Sequence, residues 1–185
     1  MASLVLKLTL CFIHLFILVA FFKSHLAAQA IGELAEMNRL EEQADALIAQ
    51  ADPEGAAQAI GKAAMMADIL AKTAQNPSAR SLFQAASLQY RAQERGLRAL
   101  ALFERTGGTP PAPAGVCHYL FQANTKLQDS KALLEQTSHV FEKEMQTRRD
   151  SLIQRNEEWK NLFQGLQQDF GCQNVLGLPP SEEPP

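Results

Sequence analysis

Proline and glycine in this chain of 185 residues gather at a few points, and the stretches between them are long. Asp52-Pro53 and Asn76-Pro77-Ser78 punctuate the first half, TGGTPPAPAG (106–115) the middle, and GLPPSEEPP the C-terminus. Proline lacks an amide donor and its ring clashes with the preceding turn, so a helix stops before it. Aspartate or asparagine just before proline is, conversely, a helix start. From Val116 to Phe170 there is no proline and one glycine, Gly165. Segments of this length without breakers predict an all-α chain if their apolar residues recur at helical spacing.

They do. Residues 31–51, IGELAEMNRLEEQADALIAQA, carry Leu34, Met37, Leu40, Ala44, Leu47, Ile48 and Ala51 on one stripe. A second helix over about 54–76 repeats the pattern at Ala56, Ile60, Ala63, Ala67, Leu70 and Ala74, a stripe narrow enough for a neighbour to approach closely. A third runs to about Arg105 through Leu82, Phe83, Ala86, Tyr90, Leu97, Leu100 and Phe103. Gly96 within it weakens the helix by about 1 kcal/mol relative to alanine. The breaks at Pro53 and Pro77 are too close together for a tetratricopeptide array, whose period is about 34 residues.

Beyond the connector, Leu120, Leu127, Leu134 and Phe141 are spaced by seven. After a step of four, Met145, Leu152, Trp159 and Leu166 continue at seven, a coiled-coil-like heptad pattern with one stutter. As a single helix, 116–171 would be about 80 Å long. As a hairpin it folds near its midpoint: the phase slips at Phe141–Met145, and soon after comes Thr147-Arg148-Arg149-Asp150, whose spacing is that of a capping box. The hairpin gives an elongated five-helix bundle. The alternative, one long C-terminal helix, needs a partner helix along its overhang.

Cysteines bear on that choice. Cys117 and Cys172 remain once Cys11 is set aside, and a disulfide between them requires Cα atoms within about 7 Å, so it demands the hairpin. Bonds between two chains and free thiols are the other readings. There is no C-x-x-C and no close histidine pair for zinc. His118 follows Cys117 directly, and neighbours on a helix point about 100° apart, which argues against a Cys–His nucleophile.

Cys11 lies in a segment with its own logic. Lys7, the apolar run LTLCFIHLFILVAFF (8–22) and the small-x-small site Ala28-Gln29-Ala30 follow the order of a secretory signal. Retained instead of cleaved, residues 2–22 would anchor the chain in a membrane. Cleavage leaves 15 of the 17 basic residues against 20 acidic ones, a net charge near −5. That balance argues against nucleic acid and anionic lipid as partners. The chain therefore divides into a signal (1–30), an alanine-rich three-helix segment (31–106), a linker (107–115), a coiled-coil-like segment (116–171) and a disordered tail (172–185). The expected location is extracytoplasmic, periplasmic or secreted.

No hydrolase, metalloprotease, phosphate-loop or calcium-loop motif is present, so the sequence suggests no enzyme, cofactor or metal. Glu41-Glu42 and Glu157-Glu158 read as solvated helix faces, and Arg148-Arg149 as a turn or helix surface. His139 reads as a packed or surface residue. Candidate interface residues are Trp159 and Phe163 in EEWKNLF and the pair Met65-Met66. The function these features favour is protein–protein contact or self-association, as in a subunit of an envelope or secretion assembly. A bundle interior holding a small apolar ligand is the second reading, and it predicts a cavity among the Ala and Met positions of helices two and three.

Overall fold

The computed structural model describes residues 31–107, 113–136 and 143–172, and over them the chain is an all-α bundle. The helices are α1 (31–49), α2 (Pro53–Thr73), α3 (Pro77–Arg105), α4 (Pro113–Gln136) and α5 (Lys143–Asp169). The signal segment, His139, Phe141 and residues 173–185 of the tail lie outside the described residues.

Local chemistry sets the helix ends. The α1–α2 corner is very short. Asp52 donates its amide to Leu47 O (2.9 Å) and Ala51 to Ile48 O (3.0 Å), a Schellman closure with Ala51 at φ 57°. Glycine normally holds that left-handed position, and a Cβ there costs about 1 kcal/mol. The same Asp52 caps α2, its Oδ1 accepting from Gly55 N at 2.8 Å ahead of Pro53 in the first turn. Asn76 caps α3 alike, accepting from Ser78 N at 2.8 Å. Thr106 and Gly107 (φ 63°) end α3 by bonding back to Leu102 and Glu104.

Consecutive helices run antiparallel. Asp68 of α2 meets Ser87 and Arg91 of α3; Ser130 of α4 donates to Ala85 O of α3 (2.8 Å). Asn124–Gln167 and Lys131–Glu157, each 2.8 Å, pair α4 with α5. α1 lies alongside α3 and α5 in the same sense, through Glu41–Tyr90, Glu41–Arg155 and Asn38–Arg148. α3 is thus central, and Ala79, Ala85, Ala86, Ala92, Gly96, Ala99 and Ala101 are buried on it. One core cluster draws on all five helices, from Met37 and Ile60 to Leu82, Leu134 and Leu152. A second, around Val116, Leu120, Leu127 and Phe163, joins it through Trp159, which packs against both.

Cys117 and Cys172 are bonded, with Cα atoms 5.2 Å apart, so α4 and α5 fold back on each other. α4 ends at Gln136 and α5 begins at Lys143, ahead of the Thr147–Asp150 spacing. Thr147 sits inside α5, its Oγ1 donating to Lys143 O, and Thr147–Asp150 is not a cap. Helix propensity upstream of Thr147 wins over a capping motif that lacks its usual glutamate. Leu120, Leu127, Leu134 and Leu152 are buried as the sevenfold spacing requires, but α4 packs more on α3 than on α5. Two further boundaries move. Pro113, Ala114 and Gly115 are helical, because proline at a first turn needs no donor. Cys172 is 1% exposed and belongs to the packed structure, not to the tail.

Gly96 has a steric role that propensity alone does not show. A Cβ there would lie 2.0 Å from Phe163 Cε1, and that ring is fully buried. Gly165 of α5, by contrast, faces open space. Gly96→Ala should therefore lose about 1–3 kcal/mol by overpacking, while Gly165→Ala gains about 0.5–1 kcal/mol. Urea unfolding of both variants checks the opposite signs. In the same assay, reduction of the disulfide, which closes a sequence separation of 55, should lower stability by about 4 kcal/mol; a drop under about 1 kcal/mol would contradict the loop-closure account.

Candidate functional site

A cleft of about 370 Å³ opens between α1, α3 and α5, lined by Glu41, Tyr90, Thr147, Arg148, Ser151 and Leu152. The 3.6-residue period puts Thr147, Arg148, Ser151 and Leu152 on one side of α5. Tyr90 is buried under the cleft, and a buried phenol needs a hydrogen-bond partner. It donates to Glu41 Oε2 at 2.9 Å. Glu41 Oε1 receives Arg155, whose other nitrogen donates to Asp45 Oδ2 at 3.2 Å. Arg148 donates to Asn38 Oδ1 at 2.6 Å.

Burial, and next the charge of Glu41, push the Tyr90 phenol well above its ordinary range, so it is a fixed donor. For Arg155, burial disfavours the charge, but Glu41 and Asp45 outweigh it and its pKa rises. The chemistry is that of a brace: one carboxylate ties α1 to α3 by a neutral donor and to α5 by a charged one. A parallel brace joins α2 to α3. There Asp68 accepts from Ser87 Oγ at 2.5 Å and pairs with Arg91. A smaller cleft of about 170 Å³ is lined by Glu54, Arg98, Leu102, Arg105 and Tyr119.

Of the residues singled out in the sequence, the structure brings Cys117 and Cys172 together in a disulfide and Trp159 and Phe163 together on α5. Phe163 is fully buried, so it is core and not contact surface; its ring meets that of half-buried Trp159 at 5.3 Å between centroids, tilted by 45°. Met65 is 56% exposed while Met66, its neighbour on α2, packs against the core. His118 is exposed beside Gln122, and Cys117 is buried in its disulfide. Neither cleft is lined by an alanine or methionine of α2 or α3, where an apolar ligand was expected.

Glu41 is a correction: it is a half-buried bridge, not a solvated face. Glu157 pairs with Lys131, whereas Glu158 is exposed. The signal for the Glu41 bridge was Tyr90, an apolar-stripe position that carries a hydroxyl. Arg149 donates to Leu134 O and so also serves α4–α5 packing.

Among the described residues no three His, Cys, Asp or Glu side chains converge as metal ligands, and no helix is long and apolar enough to cross a membrane. Compared with known proteins, the chain matches no family, no curated protein and no solved structure.

The α2–α3 brace gives a pH signature. Burial raises the Asp68 pKa, but hydrogen bonds from Ser87 and Arg91 outweigh it, and the carboxyl titrates below its ordinary value. A depressed folded pKa means the contribution is complete above about pH 4, the unfolded value, and fades as pH falls through the folded one. The stability deficit of Asp68→Asn should accordingly be largest at neutral pH and shrink below about pH 4. Unfolding of both chains across that range checks the sign.

Proposed function

We propose that this chain is an exported, non-catalytic helical-bundle protein that works by protein–protein contact at its helix faces, as a subunit of an extracytoplasmic assembly. The supporting observation is where the apolar side chains stand. Ile31, Ile48, Met65, Phe121 and Leu162 are exposed on four different helices, Ile31 by 69% and Met65 by 56%, around a core already built from other residues. At the larger cleft Glu41 and Arg148 are engaged in bracing between helices, and the apolar protrusions are recognition chemistry that the fold does not use. Export rests on the order of charge, apolar run and small-x-small site in residues 1–30, and a disulfide suits an oxidising compartment.

Full-length chain expressed in a secreting host should appear outside the cytoplasm beginning at Ile31, with a mass two hydrogens below the reduced form. A photo-crosslinking side chain placed at Met65, Phe121 or Leu162 in the native host should give a discrete protein adduct. The same group at exposed, polar Gln164 should give none. Retention in the cytoplasm, or adducts at none of the three sites, contradicts the proposal.

A further inference from the structure

The cleft between α1, α3 and α5 has room for more than the brace within it. At about 370 Å³ it falls in the size range of small-molecule sites, about 300–1,000 Å³. Tyr90 and Leu152, both buried, give it an apolar floor. One wall is the stripe of α5 that carries Thr147, Arg148 and Ser151.

The polar groups around this floor differ in what they have left to offer. Glu41 has both oxygens engaged, Oε2 by the Tyr90 hydroxyl and Oε1 by Arg155, so its charge is balanced inside the brace. Thr147 has given its hydroxyl hydrogen to Lys143 O at 3.1 Å and presents only lone pairs. Arg148 is less committed. A guanidinium carries several N–H donors. Among the described residues Arg148 uses one of them, on the neutral Asn38 Oδ1 at 2.6 Å, and pairs with no carboxylate. Ser151 is exposed, and among the described residues its hydroxyl has no partner. Three residues apart on one helix, Arg148 and Ser151 are side-chain neighbours, about 5–6 Å apart at Cβ. Two donors, one of them charged, therefore stand together over an apolar floor.

Donors of this kind fit an oxyanion. A carboxylate sets one oxygen against the guanidinium and the other against the hydroxyl, and the charge-assisted bond to arginine is the strong one. A cation fits badly, because Arg148 repels it and the one carboxylate on the cleft is already engaged. An inorganic anion would make no use of Leu152 and the Tyr90 ring.

We propose that this cleft binds a small organic monocarboxylate, with its carboxylate on Arg148 and Ser151 and its apolar body over Leu152 and Tyr90. Arg148 keeps its bond to Asn38 in the bound state, so the ligand adds to the tie between α1 and α5 and stabilises the folded chain. This inference needs neither export nor contact with another protein.

The test is an NMR titration of the full-length, nitrogen-15-labelled chain with its disulfide intact. Hexanoate, hexanol, hexylamine and sulfate are added as separate probes, and the Arg148 Nε–H and Ser151 amide signals are followed. Hexanoate should shift both saturably, with an affinity at least about tenfold above each of the other three probes. Arg148→Gln keeps an amide for Asn38 but loses the charge, and it should weaken hexanoate binding about tenfold; Ser151→Ala should weaken it about threefold. Circular dichroism checks that both variants keep their helix content.

Hexanol, hexylamine or sulfate binding as tightly as hexanoate overturns the proposal, and so does hexanoate that leaves both signals unmoved. Folded variants that bind hexanoate like the wild type overturn it as well. If a variant does not fold, the ranking of the four probes on the wild-type chain decides alone.

Discussion

Two helices approach closely only where the side chains between them are small, and α3 meets that condition along most of its length. Its alanines and Gly96 are buried on more than one side, so neighbours can pack around a single central helix. The alanine stripe of α2 meets it from one direction, with Ala56, Ala57, Ala63, Ala64 and Ala67 at 0% exposure. Larger residues then fill the spaces that the close contacts leave. Tyr90, Leu82, Leu97 and Phe163 are all buried within a shell of small ones. Short corners at Ala51–Asp52 and Asn76–Pro77 follow from the same constraint, because closely packed antiparallel helices need little chain to connect them.

Close packing of small residues leaves few atoms for hydrophobic burial, and the polar braces compensate in specificity. Each is an acid or an amide from one helix shared with another: Glu41 between α1, α3 and α5, Asp68 between α2 and α3, Asn124 and Gln167 between α4 and α5. Half-exposed ion pairs add little stability each. They do set register, since a helix displaced by one turn would strand Tyr90 O–H in the core without Glu41.

The all-α class, the first three helices and the Asp52 cap were legible because Asp52-Pro53 and Asn76-Pro77 leave no alternative to a stop and a restart. The hairpin was legible once Cys117 and Cys172 were paired, because one rod would hold them at opposite ends. What was hidden is instructive. A capping-box spacing at Thr147 carried no weight against continuous helix formers, and Pro113 extended a helix instead of ending a linker. Glu41 looked like a solvated charge because a wheel of α1 alone cannot show that an arginine of α5, more than a hundred residues on, reaches it. Gly96 looked like a flaw until Phe163 was seen to occupy the place of its missing Cβ. Sequence periodicity assigns faces; it does not say which helix a face meets.

The heptad pattern shows the same limit from another side. Its positions are apolar and they are buried, yet α4 spends them chiefly on α3, so sevenfold spacing here serves a bundle and not a separate two-helix rod. The disulfide explains how α5 can be so polar and still be placed. With one end fixed at Cys117, α5 needs only Leu152, Phe163 and a few polar ties to settle against α3 and α4, because the tether has already removed most of the freedom it would lose on docking. A helix held in this way can carry a sequence chosen for something other than burial, and the polar outer face of α5 with Leu162 standing on it has that character.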